Sequence, residues 1–165
     1  DGGGGLGIES VSSDEMIQIS YAGNADLINN DGDGETDEDD EKSITAYVTY
    51  RLYDSSNDVD TDEDDLGRST QQDGSNVQPV TENIDALDFV YYDGARNEID
   101  PVTGNLNDVR VIEVTMVARA YREDRDYTNN QSYTNSLGEV VLAGGGDHFR
   151  RRSLSKKIRC RNLGL

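Results

Sequence analysis

The sequence predicts an α+β fold that is predominantly antiparallel β. Residues 15–21 and 43–53 alternate apolar and polar side chains with the period of two that is typical of a half-buried strand. Residues 109–118 are rich in β-branched side chains, which favours a strand over a helix. The 165 residues correspond to one domain that is long enough to bury a core.

Composition argues against several functions. The formal net charge is -19, so nucleic-acid phosphates and anionic lipid surfaces would repel the chain. The chain has one cysteine and one histidine, which exclude an intrachain disulfide and a cysteine zinc cluster and leave few groups for nucleophilic catalysis. No apolar run reaches the about 18 residues that a membrane helix needs, and no signal peptide is visible.

The first residues predict a linker. Residues 1–7 are Gly-rich and are expected to be flexible, ahead of a single domain at residues 8–165. Because the chain begins at Asp1 and not at Met, we expect a processed or trimmed chain from which upstream segments are missing.

An acidic segment after the first strand has the residue order of a calcium loop. Such a loop has ligands at positions 1, 3 and 5, Gly at 6, a backbone carbonyl at 7 and ligands at 9 and 12. Gly34 stands at the sixth position, where it permits a sharp turn. The predicted Ca²⁺ ligands are Asn29, Asp31, Asp33, Glu35 through its carbonyl, Asp37 and Asp40. A solvated acidic loop is the alternative interpretation.

The segments that flank this loop are predicted to be strands. The loop is therefore an insert on a sheet, residues 26–42, without the helix pair that opens in calcium sensors, which favours a static structural ion. Residues 54–65 form a second acidic run, but Glu63 stands where a loop of this kind needs Gly. We expect a solvated hairpin tip at residues 54–65, and a second ion is the alternative.

The central part of the chain is predicted to contain two strands and a helical turn. Residues 66–69 predict a short returning strand, and residues 80–87 predict a helical turn with Thr81 as its N-cap. Residues 87–92 predict a strand that is followed by a turn. Its inward side chains are Leu87, Phe89 and Tyr91.

The last third of the chain begins with the strongest strand signal, residues 108–121. Residues 122–146 are predicted to be a long polar loop, whose length suggests a surface function or disorder. Residues 149–165 carry seven basic and no acidic side chains and predict a basic strand. Its inward residues are Leu154, Ile158 and Cys160. We expect Cys160 to be inert and His148 to lie on the surface, because no group that would orient a catalytic Cys–His pair is evident.

Five segments in a fixed order carry a resemblance to a known family. They are residues 43–53, 66–68, 78–91, 108–114 and 150–163. In this order they resemble the globular domain of PilW-type minor pilins of the type IV pilus and of J-class minor pseudopilins of type II secretion. Residues 1–9 resemble the segment that follows the N-terminal helix of that family.

The resemblance implies a pilin-like globular domain that lacks its N-terminal helix, since neither the helix nor its prepilin cleavage site is in this sequence. It implies a non-enzymatic subunit that primes filament assembly, with other minor pilins and the major pilin as partners. The missing helix would be the only contact with the inner membrane. Before assembly the domain would lie at the periplasmic face, and afterwards in the extracellular filament. The acidic insert at residues 26–42 is more elaborate than the family pattern.

Two other functions are weighed against this one. A calcium-dependent extracellular adhesion or carbohydrate-binding β-domain would use exposed tyrosines, namely Tyr47, Tyr53, Tyr127 and Tyr133, although sheet packing is the favoured interpretation of these residues. A hydrolase would need paired carboxylates, but no acidic residue stands in the apolar neighbourhood that would raise its pKa.

Overall fold

The computed structural model describes residues 7–8, 16–22, 45–54 and 65–160 of the chain. Within these residues the strands are β1 (Gly7–Ile8), β2 (Met16–Ala22), β3 (Thr45–Tyr53), β4 (Asp65–Ser69), β5 (Gln78–Thr81), β6 (Ile84–Tyr92), β7 (Glu98–Ile99), β8 (Val111–Arg119), β9 (Tyr133–Thr134), β10 (Val140–Leu142) and β11 (Arg151–Arg159). A single turn of 3₁₀-helix, Leu106–Asp108, precedes β8.

The described strands form two antiparallel sheets and a hairpin. One sheet has five strands in the order β1-β2-β3-β4-β5, the other has four in the order β11-β8-β6-β7, and β9 pairs with β10. The predicted predominance of antiparallel β structure is confirmed. In the same residues the 3₁₀-turn is the only helix, so the α part of the predicted α+β class is not found there. No helix in this part of the chain has the length and apolar character needed to cross a bilayer.

The predicted strands at residues 15–21, 43–53 and 66–69 are confirmed as β2, β3 and β4. β2 and β3 pair along the whole of β2, so the segment between them joins two neighbouring strands of one sheet. That segment contains residues 29–40, which lie outside the described residues. The second acidic run lies between β3 and β4, and residues 55–64 are likewise not described.

The main core lies where the five-stranded sheet packs against β6. Ile17 and Leu66 come from the five-stranded sheet, and Leu87, Phe89 and Tyr91 come from β6. The predicted inward orientation of the three β6 residues is confirmed. Burial of each such large side chain is worth about 1.5–3 kcal/mol, so this contact dominates the stability of the fold.

The predicted helical turn at residues 80–87 is wrong. β5 and β6 occupy most of that range, and Asn83 between them has a positive φ of 62°. The register of β6 against β8 shifts by one residue at Asp85, which is a β-bulge. The bulge interrupts the period-two pattern. The sequence therefore shows a strand only from Leu87 onward, although pairing with β8 extends β6 back to Ile84.

Residues 122–146, predicted to be a polar loop, instead cover the second face of the four-stranded sheet. They contain β9 and β10, and Tyr133 is buried against Ala86 and Val117. β8 is therefore enclosed on both faces over part of its length, since Glu113 and Val117 are buried on this side of the strand. The polar composition of the segment reflects its own exposed surface.

Candidate interaction surface

A buried carboxylate, Glu113, holds the covering segment to the sheet. Its Oε2 accepts hydrogen bonds from Ser136 and, at 3.2 Å, from the Tyr92 hydroxyl. The Lys157 Nζ lies 3.2 Å from the same oxygen and 4.6 Å from the centre of the Tyr92 ring. Burial raises the pKa of Glu113, but hydrogen bonds from Ser136 and Lys157 outweigh burial and bring it below its ordinary value. The charged carboxylate thus joins three strands of the sheet to the turn of the hairpin.

A second ionic cluster is centred on Asp85, the bulged residue of β6. Its carboxylate accepts hydrogen bonds from Arg119 Nη1 at 3.2 Å and from Arg151 Nε. Arg151 Nη1 also donates to Asp147 Oδ1 at 2.7 Å, which lowers the pKa of Asp147. The Phe149 ring centre lies 5.1 Å from the Arg119 guanidinium. The cluster fastens the end of the covering segment to β6, β8 and β11.

These clusters have the chemistry of structural ion pairs. A general acid at neutral pH needs a raised pKa. Within the described residues, the shifted Asp and Glu side chains all have a lowered pKa. They are Asp73, Asp93, Asp100, Glu113, Asp124 and Asp147.

The opposite face of β8 and β11 carries an uncovered apolar strip. Val114 and Met116 of β8 are half-buried, whereas Leu154 and Ile158 of β11 are 66% and 50% exposed. Leu154 pairs with Met116 and Ile158 pairs with Ile112, so both β11 side chains stand on the face that carries the core. We call Val114, Met116, Leu154 and Ile158 the open strip.

Leu154 and Ile158, predicted to be inward residues of the last strand, are exposed. Alternation does place them on the core-side face, but the five-stranded sheet packs mainly over β6, and β11 lies two strands away at the sheet edge. Cys160, the third predicted inward residue, is half-buried against the core, and burial raises the pKa of its thiol. His148 precedes β11 and Cys160 follows it, so a strand of about 30 Å separates the two conceivable catalytic partners.

The sequence contains a signal for this exposure. Arg152 and Lys156 lie on the same face as Leu154 and Ile158, because all four alternate along one strand. Lys and Arg side chains are almost never fully buried, so two cations on this face predict that the domain does not enclose it. Charged side chains on both faces are typical of an edge strand, and β11 is one.

The chain enters the described fold near one end of the open strip. β1, which includes the buried Ile8, contacts the 3₁₀-turn just before the chain enters β8. At the same end of the sheet, the Cys160 amide donates to the Arg110 carbonyl at 2.9 Å. Gly7 therefore lies at the end of the sheet where β8 begins and β11 ends.

The predicted calcium ligands cannot be placed against this surface. Asn29, Asp31, Asp33, Glu35, Asp37 and Asp40 all lie outside the described residues. Within the described ranges, no group of three or more His, Cys, Asp or Glu side chains is arranged to hold a metal ion. Calcium binding stays a prediction of the sequence.

The four tyrosines suggested for glycan binding do not form one exposed face. Tyr133 is 5% exposed and belongs to the second core cluster. Tyr47 and Tyr53 of β3 are half-buried, as is Tyr127, whose ring lies 4.4 Å from the Arg150 guanidinium. Nothing in their arrangement favours a carbohydrate site.

Comparisons with known proteins bear on the fold of the chain. Neither a protein-family model nor a curated protein sequence matches the chain. Among solved structures, the chain has the fold of a pilin-like domain. It is similar to the type IV-like pilin TTHA1219 from Thermus thermophilus, with a TM-score of 0.50 and 14% identity, over 97% of this chain and 86% of that one. At this identity the likeness shows the fold and does not distinguish PilW-type from J-class proteins.

Proposed function

We propose that this chain is the globular domain of a pilin-like filament subunit. Its likeness to a type IV-like pilin over 97% of its length supports the proposal at the level of the fold. The open strip is the observation that carries it further. Within the described residues the open strip is only partly covered, and exposed apolar surface of this kind marks an interaction site. We propose that a helix preceding residue 1 supplies the layer that covers it.

The dimensions of the open strip suit one helix. β8 and β11 lie about 4.8 Å apart, so two strands present a surface about 10 Å wide, which matches the diameter of a helix. Leu154 and Ile158 are four residues apart, or about 14 Å, which corresponds to about nine helical residues. Because Gly7 lies at the Ile158 end of the strip, a helix that precedes residue 1 can reach it through the Gly-rich residues 1–6.

The finer proposal is a minor pilin of the PilW type or a J-class pseudopilin. The order of segments in the sequence supports it. The subunit would be tethered by its helix at the periplasmic face of the inner membrane and would then enter an extracellular filament. Its partners would be other minor pilins and the major pilin. A calcium ion held by residues 29–40 would have a structural role in this subunit.

The coding sequence upstream of Asp1 tests the proposal directly. It should encode an apolar helix of about 20 or more residues that leads into the Gly-rich segment. A conventional secretory signal peptide or an unrelated folded domain at that place would overturn it.

A complementation experiment tests the open strip itself. In a strain that lacks the gene, the full-length protein should restore surface filaments and Leu154→Asp should not. Val102→Asp is the matched control, because Val102 is 71% exposed and lies outside the strip. Restoration by both variants would show that the strip is not the helix-packing surface.

A further inference from the structure

A cavity of about 410 Å³ opens on the covered side of the four-stranded sheet, beyond the end of the cover. It is lined by Tyr92, Arg96, Val111, Lys157 and Arg159. Four lining residues come from three neighbouring strands: Lys157 and Arg159 from β11, Val111 from β8 and Tyr92 from β6. The hairpin cover reaches the row of the sheet in which Ser136 contacts Glu113. The next set of paired residues, Arg159, Val111 and Tyr92, extends beyond the hairpin. No described residue packs over this end of the sheet face, which leaves the cavity.

The cavity is a positive site on a negative protein. Three of its five lining residues are cations, although the net charge of the chain is -19. Lys157 pairs with Glu113, but Arg96 and Arg159 form no ion pair within the described residues. A guanidinium group is well suited to bind a carboxylate, because it presents paired donors to the two carboxylate oxygens.

The turn that carries Arg96 is held in one conformation. Asp93 Oδ1 accepts the Ala95 and Asn97 amides, both at 2.8 Å, and Asp93 Oδ2 accepts Asn97 Nδ2 at 2.8 Å. The Arg96 backbone has a positive φ of 72° and its amide donates to the Asp93 carbonyl at 3.2 Å. The position from which the Arg96 side chain extends is therefore fixed, which lowers the entropic cost of binding an anion there.

The distribution of charge along the sequence indicates a segment of complementary charge. Residues 26–65 contain 16 of the 34 acidic side chains, and residues 150–161 contain seven of the 15 basic ones. Asp58, Asp60, Asp62 and Asp64 are two residues apart, as are Lys157 and Arg159. The aspartates of this run and the two cations of β11 thus share a sequence period of two.

We propose that the cavity and the adjoining edge of β11 bind the acidic run, residues 54–64, of a second copy of this chain. The contact joins two different surfaces, so it is heterologous and repeats from copy to copy in one direction. This inference goes beyond the proposed function and does not depend on it, because the contact belongs to residues of this chain alone.

The net charge of the two copies shapes the salt dependence of the contact. At low ionic strength two molecules of net charge -19 repel each other at long range. At about 0.15 M salt the Debye length is about 8 Å, so this repulsion is screened while the close Arg–Asp pairs persist. At about 1 M salt the pairs are screened as well. Association should therefore be strongest at intermediate salt, whereas apolar association would strengthen steadily with salt.

Sedimentation equilibrium of the purified chain at about 0.15 M NaCl is the first experiment. Arg159→Glu should weaken self-association at least about tenfold, the scale expected for a charge pair at an interface. Arg125→Glu is the matched control, because it makes the same charge change at an exposed residue outside the cavity and should change association less than about threefold. An equal loss in both variants, or no association of the parent chain, overturns the proposal.

Reversing the charges of the acidic run in one variant and of the cavity in another tests both sides of the contact. The first variant keeps the cavity residues intact. Asp60→Lys/Asp62→Lys should lose self-association, and mixing it with Arg96→Glu/Arg159→Glu should restore association between the two variants. Binding of inorganic phosphate to the parent chain is measured separately, at about 10 mM phosphate and constant ionic strength. If phosphate binds but the mixture of variants does not associate, the cavity binds small anions and the proposal is wrong. That failure would leave the open strip and the pilin-like fold unaffected, so it is distinguishable from failure of the proposed function.

Discussion

Leu154 of β11 pairs directly with Met116 of β8, yet Leu154 is 66% exposed and Met116 is only half-buried. The two side chains continue the apolar face of the four-stranded sheet past the layer that covers it. Because Leu154 remains in contact with water, it contributes little to the stability of this chain. Met116 therefore contributes to the core of the domain, whereas Leu154 is available to contact another helix or subunit.

The same substitution at two leucines should distinguish these roles. Leu87→Ala removes a side chain that is 3% exposed in the main core and should lower the free energy of unfolding by about 2–5 kcal/mol. Leu154→Ala should change it by less than about 0.5 kcal/mol, because the side chain is already solvated. Urea unfolding of both variants beside the parent chain measures the difference. A large loss in Leu154→Ala would show that the strip is covered within this chain.

The Asp85 cluster should be far more important for stability than the exposed pair of Arg150 and Asp124. Asp85→Asn leaves Arg119 and Arg151 with a weaker acceptor at a side chain that is 8% exposed, and we expect a loss of about 3–5 kcal/mol. Asp124→Asn is the matched control and should change the melting temperature much less, because that ion pair is solvated. Thermal unfolding followed by circular dichroism measures both. Similar losses would contradict a dominant role for Asp85.

Acid should destabilise the fold, in part through Glu113. Its pKa in the folded chain is lowered from 4.5, so its charged form favours folding above that pH, and the contribution is lost as pH falls through the lowered value. Glu113→Gln should cost about 1–3 kcal/mol at pH 7, because Lys157 loses its charged partner. The difference between parent and variant should shrink below about pH 4.5.

Urea unfolding across pH 3–7, about the range over which carboxyl groups titrate, checks this dependence. Glu98→Gln is the control, because it makes the same substitution at an exposed side chain on β7 and should cost less stability at pH 7 than Glu113→Gln. Parent and Glu113→Gln curves that stay parallel into the acid range would show that Glu113 is not responsible.

The calcium prediction has a control within its own loop. Calorimetric titration of metal-free chain should give a dissociation constant of about 10⁻⁴–10⁻³ M, as in extracellular calcium modules. Asp31→Ala and Asp33→Ala should each weaken binding at least about tenfold, because they remove charged ligands at positions three and five. Asp39→Ala lies at a non-ligand position and should bind as the parent does. No heat in the parent, or equal heats in the three variants, would refute the site.

Local periodicity predicted much of the described fold. β2, β3, β4 and β8 lie where alternating and β-branched residues indicate strands, because the two faces of a strand are set by successive residues. Prediction failed at Asp85, where a bulge shifts the alternation by one residue. It failed again at residues 122–146, because no local pattern shows that Tyr133 packs against another strand.

The sequence alone determined that this chain is predominantly antiparallel β, that its acidic side chains are concentrated in residues 26–65, and that its final strand is basic. Only the tertiary structure decided which apolar faces are covered. Alternation fixes that Leu154 and Met116 share a face, since neighbouring side chains on a strand point to opposite sides. Whether that face is buried depends on how far the second sheet extends, and that extent is set by contacts between residues distant in the sequence.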